Sequence, residues 1–574
     1  MQINVRPSSL LKKTPKKLII FVAIVFAATL SAAKEKKLAP ELNARLADLT
    51  APVPHHDPGE TVDVIIQFQQ GTTLQNHVAK MLGLGARHKN ALDVIHGGLF
   101  QIPASLIPVL ARDPDIVYIS PDRKVIKTSP EDYILDASQA NSVFQLGYYG
   151  NGIGIAVIDS GVRVNHPDLQ NLSTGLSRVV YSQSFVPGLD ANDQYGHGTH
   201  VAGLLAGNGQ VSDGWMRGIA QKANLVNLRV LDANGAGTDS QVIAAIQRAI
   251  QLKSTYNIRV INLSLGRRVS ENYTLDPLCQ AVEQAWKAGI VVVVAAGNFG
   301  RDNAMNTNGY ATITVPGNDP YVITVGALNT HGTGITSDDT VASFSSKGPT
   351  LLDHVVKPDL LAPGNRVVSL IANGSTLDTM SPTDEVSPSL YGSCSNTPSY
   401  FRLSGTSMAA PIVSSTVAIM LQRSPSLTPD QVKIRLMKTA TKLYPAYTSG
   451  TSASGSYYSL QSDIFTVGAG YLNAYGAVTS NEYPVGNSLS PTAVPDGLGH
   501  VLLSSDPSSA WASSITWGSS IVWSNNVLLA NSIIWGSSIT WGDTLNAGYS
   551  IVWSDSITWG EGITFSESSD SDRN

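Results

Sequence analysis

The sequence predicts an α/β protein built on a doubly wound, mainly parallel sheet, with a small α+β module before it and an all-β hexapeptide-repeat tail after it. Three observations carry this expectation. Between about Ser129 and Val478, short apolar runs alternate with helical stretches, the rhythm of a parallel sheet covered by helices on both faces. From Pro40 to about Lys127 a shorter strand and helix alternation precedes it, and beyond Val478 tryptophan recurs at fixed spacing. The chain has 574 residues, 43% of them hydrophobic and 14% charged, which supplies a sizeable core and excludes a coiled coil or a wholly disordered chain. With 38 Lys+Arg against 43 Asp+Glu, and five of the basic residues ahead of Leu18, the rest of the chain is too acidic for a nucleic-acid binder. Two cysteines, Cys279 and Cys394, build neither a disulfide framework nor a four-cysteine zinc site.

Residues 1–33 read as a secretory signal peptide. Arg6, Lys12, Lys13, Lys16 and Lys17 precede an apolar run from Leu18 to Leu30, and small Ser31-Ala32-Ala33 follow. The run is shorter than the roughly 20 residues a membrane helix needs, and no later segment reaches that length, so no transmembrane span is expected in the mature chain. Residues 34–128 form the α+β module. Its strands are expected at Val62–Phe68, Leu99–Ile102 and Ile116–Ile119, and its helices at Leu74–Leu82 and Ala104–Ala111. In the α/β region, residues 129–478, Ile153–Ile158, Val260–Leu265 and Ile290–Ala295 read as buried strands, and Ser240–Leu252 and Asp276–Ala288 as helices. Residues 479–510, rich in Pro, Ser, Asn and Gly, read as a linker. In residues 511–574, Trp stands at 511, 517, 523, 535, 541, 553 and 559, so every gap is 6 or 12. An even period keeps these rings on one face of an extended chain, which fits a β-solenoid or a stack of hairpins. Export, surface attachment and substrate binding all stay open as roles for this tail.

Three segments carry chemistry. Gly154-Ile-Ala-Val-Ile-Asp159-Ser-Gly161 ends a buried strand in a carboxylate, at the strand end where open α/β sheets build sites. In Gly196-His197-Gly198-Thr199-His200, His197 stands where the loop enters a small-residue helix. The absence of Glu between the two histidines argues against an HExxH metal pair. Ser404-Gly405-Thr406-Ser407-Met408-Ala409-Ala410-Pro411 sets Ser407 at a helix N-terminus, with Pro411 expected in the first turn. Unpaired N–H groups there favour the anion that forms when a hydroxyl attacks a carbonyl.

Together these strings closely resemble the subtilisin-like serine peptidases, the subtilase family, in the chain order Asp, His, Ser. Val260-Ile-Asn-Leu-Ser264-Leu265-Gly266, Ala295-Ala-Gly-Asn298, Pro358–Gly364 and Gly468–Ala474 extend the resemblance over about 145–478. It implies a secreted endopeptidase, extracellular or periplasmic, made as a self-processing zymogen and needing no cofactor for its chemistry. Asp159 would orient His197, His197 would take the proton of Ser407, and Asn298 would donate to the oxyanion. A protein or peptide substrate would pair with Ser264, Leu265 and Gly266 on one side and Gly235, Ala236 and Gly237 on the other. Residues 34–128 resemble the inhibitor-like, ferredoxin-type propeptides of the family, which block their own cleft until cleavage, here near Lys124–Ser129. Family members commonly bind structural calcium, and Asp168 in His166-Pro-Asp-Leu169 matches a ligand position. The competing reading is an inactive peptidase scaffold that binds surfaces through its Trp-rich tail. Pairing of Cys279 with Cys394 stays open.

Overall fold

The structure, a computed structural model, describes residues 37–39, 42, 61–69, 73–122, 133–304, 307–393, 395–442, 447–451, 457–495, 501–504, 506 and 508–510, with short strands at 522–523, 526–529, 532–533 and 563–564. The expected signal peptide, the cleavage region 124–129, Cys394 and most of the Trp repeat lie outside these residues. The chain divides into two units, 1–128 and 129–574.

In the first unit the described elements are β1 (Thr61–Phe68), α1 (Leu74–Gly83), β2 (Arg87–Leu92), β3 (Gly97–Pro103), α2 (Ile107–Leu110) and β4 (Ile116–Pro121). The strands form an antiparallel sheet in the order β2-β3-β1-β4. Alternation sends Val64, Ile66 and Phe68 of β1 to one face, where they meet Phe100, Ile102, Ile116 and Ile119 in the core. Strand β2 is absent from the sequence reading because Arg87-His-Lys-Asn-Ala-Leu92 is a mostly exposed edge with no apolar alternation. The expected helix Ala104–Ala111 divides into a 3-10 turn, Ala104–Leu106, followed by the short α2.

The second unit is a mixed α/β structure with a largely parallel central sheet. Its strands are β5 (Gly154–Asp159), β6 (Val179–Ser184), β7 (Asn224–Arg229), β8 (Ala236–Gly237), β9 (Ile258–Leu263), β10 (Val291–Ala295), β11 (Ile323–Asn329), β12 (Thr340–Val341), β13 (Leu360–Pro363), β14 (Val367–Leu370) and β15 (Tyr400–Leu403). Interleaved helices are α3 (His197–Ala206), α4 (Asp239–Tyr256), α5 (Pro277–Lys287), α6 (Thr406–Arg423) and α7 (Pro429–Thr439). The sheet runs β12-β11-β10-β9-β5-β7-β6, with β13 also beside β11, and only β12 pairs antiparallel. Every residue of β5 and β10 is buried, as their unbroken apolar runs require of strands covered on both faces. Helix α6 is buried on all sides and packs against α3, β9, β10 and β11. It begins at Thr406, so Pro411 lies inside it and not in its first turn as expected.

The stretch expected as a linker differs from that reading at residues 480–495, which lie against the unit. Val356 N–H donates to Pro491 O (2.8 Å) and Ala493 N–H to His354 O (2.8 Å). A hairpin then pairs Thr492–Pro495 with Val501–Ser504. Where the Trp-rich tail is described, neighbouring strands pair antiparallel, Val522 opposite Val527 and Leu528 opposite Ile533, which is the hairpin arrangement. No helix among the described residues is long and apolar enough to cross a membrane.

Candidate active site

Chain order within the sheet creates the site. Successive strands leave β5 in both directions, to β7 and β6 on one side and to β9, β10 and β11 on the other, so a crevice opens at the carboxyl ends of β5 and its neighbours. Asp159 is the last residue of β5. Because Ile158 lies opposite Leu263 in parallel register, Asp159 and Ser264 leave the sheet side by side, about 4.8 Å apart in strand spacing.

The first of these two residues holds an imidazole. Asp159 Oδ1 is 2.7 Å from His197 Nδ1 and accepts the Ser160 N–H at 2.7 Å, with both side chains buried. His197 is the first residue of α3. Its loop is fixed by buried Asp193, which accepts Gly196 N–H (2.7 Å), Thr199 N–H (2.8 Å), Thr199 Oγ1–H (2.6 Å) and Ser160 Oγ–H (2.9 Å). Burial raises the Asp193 pKa, and these donors pull against that shift. His200 does different work. Its Nε2 lies 3.2 Å from Val367 O and 3.1 Å from Phe401 O, and burial followed by the nearby His197 lowers its pKa to about 3. A neutral ring donating to two carbonyls ties α3 to the β14–β15 hairpin.

The second residue, Ser264, holds the hydroxyl-bearing helix. Ser264 Oγ donates to Ser407 O at 2.8 Å, and Asn262 Nδ2 donates to Ser264 Oγ at 2.9 Å. The proline inside α6 accounts for this bond. Pro411 has no N–H, so the carbonyl four residues back, that of Ser407, has no helical donor and accepts from β9's extension instead. Ser407 is the second residue of α6, where backbone N–H groups have no intrahelical partner, and its hydroxyl donates to Ser264 O at 3.2 Å.

Asn298 follows β10 at the adjacent strand end. Its Oδ1 accepts Thr406 N–H (2.9 Å) and Thr406 Oγ1–H (3.0 Å), while Thr406 Oγ1 accepts Gly297 N–H (3.1 Å). With Oδ1 so engaged, Nδ2 lies beside Gly405, 3.2 Å from where a Cβ would stand. This network orients the amide, and Thr406 is a residue of the candidate site that the sequence analysis did not single out, although it lies inside the quoted Ser407 string.

Gly235, Ala236 and Gly237 form a turn and the short strand β8. Gly235 needs its glycine for a φ of 76° and because a Cβ would stand 2.7 Å from the Tyr195 ring. The edge accepts an extended chain, since Ile563 pairs antiparallel with Gly237 and Thr564 with Ala236.

The calcium implied by the resemblance finds no suitable place at Asp168. One carboxylate oxygen accepts Val211 N–H (2.8 Å) and the other the Tyr400 hydroxyl (2.6 Å). The carbonyls of Asp168, Gln170, Ala206 and Ala223 all accept from the buried Arg178 guanidinium. A cation covalently part of the chain fills that cage, and these residues do not fit a calcium ion. Among the described residues, no group of three or more His, Cys, Asp or Glu could hold a metal. Cys279 is a buried free thiol donating to Asn318 Oδ1 at 3.3 Å.

Comparison with known proteins matches residues 150–458 to the subtilase family, described as peptidase S8. The chain is 38% identical over 348 residues to serine protease AprX of Bacillus subtilis (strain 168), covering 59% of this chain and 72% of that protein. It is 32% identical to subtilisin E of the same organism, covering 62% and 79%. It is 34% identical to the extracellular serine proteinase of Thermus sp. (strain Rt41A), covering 65% and 78%.

Proposed function

The chain belongs to the subtilase family and is a serine endopeptidase, and on that premise we propose that Asp159, His197 and Ser407 are its catalytic triad. Ser407 attacks the peptide carbonyl as His197 Nε2 takes its proton. Asp159 fixes the imidazole and stabilises its cation, and water then hydrolyses the acyl-enzyme. Asn298 Nδ2 and the Ser407 N–H donate to the oxyanion. One observation carries this reading: Asp159 ends β5 and Ser264 directly follows the neighbouring β9, the first bonded to His197 and the second to Ser407. Substrate pairs as an added strand with Ser264–Gly266 and with Gly235–Gly237, and the antiparallel pairing on Ala236 and Gly237 supports the second contact.

In the same reading, residues 34–128 are an inhibitor-like propeptide, 129–478 with its 480–495 strap the catalytic part, and 511–574 a hexapeptide-repeat tail. The βαββαβ succession of the first unit, with its own core, supports a ferredoxin-like propeptide. Removal of residues 1–33 during export accompanies zymogen processing, and a relative named as extracellular supports secretion. The test compares wild type with Ser407→Ala for loss of residues 34–128 and for hydrolysis of a denatured protein. Wild type should do both and the variant neither; equal behaviour would overturn the assignment.

A further inference from the structure

The substrate's reacting carbonyl must sit between Ser407 Oγ and Asn298 Nδ2, with its backbone along Ser264–Gly266. The side chain of the residue that donates this carbonyl then points into the gap between Ser264–Gly266 and Ala295–Asn298. Neither Gly266 nor Gly297 puts a side chain into that gap, yet the gap is not deep. A Cβ at Gly266 would stand 2.7 Å from Thr314 Oγ1, and one at Gly297 would stand 2.7 Å from Thr314 Cγ2. One threonine therefore lies between both walls.

Its position is fixed by backbone on both sides. Thr314 N–H donates to Ala296 O (3.0 Å), and its neighbour Val315 exchanges bonds with Arg267, N–H to O at 2.8 Å and 3.1 Å. Thr314 Oγ1 also donates to Ala296 O at 3.2 Å, and the residue is 3% exposed. Beyond the gap, the Arg268 guanidinium lies 4.5 Å from the Phe299 ring centroid and bonds Asp302 Oδ2 at 2.5 Å. That contact joins the residues following the two walls.

Resting on the triad and substrate strands proposed above, we propose that Thr314 is the floor of the pocket for the residue on the acyl side of the cleaved bond, restricting this peptidase to a small residue there, Ala or Ser. A longer side chain meets Oγ1 and Cγ2 just beyond its own Cβ, where there is no room without moving backbone that is hydrogen-bonded on both sides.

The experiment uses the full chain and four peptides identical except for Ala, Ser, Leu or Phe at that position, together with sequencing of the cuts in a denatured protein. Wild type should favour Ala over Phe by at least about 10-fold in kcat/KM, the scale on which pocket volume discriminates. Thr314→Gly should reduce that ratio at least about 10-fold by raising the rate on Phe and Leu. Leu or Phe cut as fast as Ala by wild type would overturn the inference, as would an equal loss on all four peptides in the variant. If Thr314→Gly does not fold, the wild-type ratios and cut sites still decide. Equal cutting by Ser407→Ala would instead remove the underlying triad assignment, an outcome read from rate and not from preference.

Discussion

Asn298 and Thr406 show how much of the site's chemistry depends on single side chains. On the role proposed for Asn298, Asn298→Ala removes one oxyanion donor and should lower kcat by about 10²–10³-fold, a figure established on subtilisin, with little change in KM. Thr406→Val keeps that donor but removes the hydroxyl between Asn298 Oδ1 and Gly297 N–H. Losing about 1–2 kcal/mol of orienting bonds should reduce kcat roughly 5- to 30-fold, and steady-state kinetics on one peptide checks both variants. Asp319 gives a separate residue-scale expectation about stability. It is buried, its Oδ2 has no hydrogen-bond partner, and burial pushes its pKa up to about 7. The folded chain thus keeps a proton that the unfolded chain releases, so this group's contribution to stability falls as pH rises from about 4 to about 7. Asp319→Asn should match wild type in Tm near pH 4 and exceed it near pH 8; a pH-independent difference would refute the buried-carboxyl account. The sequence singles out the four candidate residues because their strings are particular. It does not single out Thr406 or Thr314, because a hydroxyl's partners lie on strands distant in the chain.

Helix α6 carries the element-scale argument. A proline inside a helix costs about 3 kcal/mol, and here its missing N–H leaves the Ser407 carbonyl to Ser264 Oγ. Pro411→Ala restores a helical donor that competes with Ser264. The Tm should hold or rise while kcat falls several-fold, measured by thermal melting and single-turnover kinetics; a kcat equal to wild type would show that the Ser264 bond does not depend on the proline. The helix was legible as an element, but its start was not. Small residues after Gly405 suggest a beginning at Ala409, whereas Thr406 already enters the helix because Asn298 satisfies its N–H. Edge strands show the opposite limit. Apolar β5, β9 and β10 are readable because burial on both faces demands unbroken runs, while β2, exposed and charged, carries no pattern to read.

Within the larger unit, the core extends past the residues that match the family. Ser490 donates to Asp359 Oδ1 at 2.6 Å and accepts from Lys433 Nζ at 2.8 Å, and Lys357 donates to Asp359 Oδ2 at 2.7 Å, all fully buried or nearly so. Burial lowers the Lys433 pKa to about 7, with Asp359 opposing it. Ser490→Val should destabilise by about 1–3 kcal/mol, because it takes the hydroxyl donor from the buried Asp359 Oδ1, while Lys433 Nζ keeps the Pro320, Tyr321 and Val322 carbonyls. Thermal melting checks this, and an unchanged Tm would show that the strap carries none of that load. Composition suggested a linker here because Pro, Ser and Asn dominate it, yet Ser490 offers its hydroxyl to the buried Lys433 and Ser480 its carbonyl to the buried Arg435.

By itself the sequence determined the α/β class and its buried strands, and it singled out Asp159, His197, Ser407 and Asn298 as the candidate site, since each is written in a local pattern of burial or a short string. Only the tertiary structure decided which carbonyl Pro411 frees, that Arg178 fills the cage beside Asp168, and that Thr314 lies between two glycines. Those facts depend on which distant segments become neighbours, and parallel crossover strands bring together residues whose separation in the chain leaves no periodic trace.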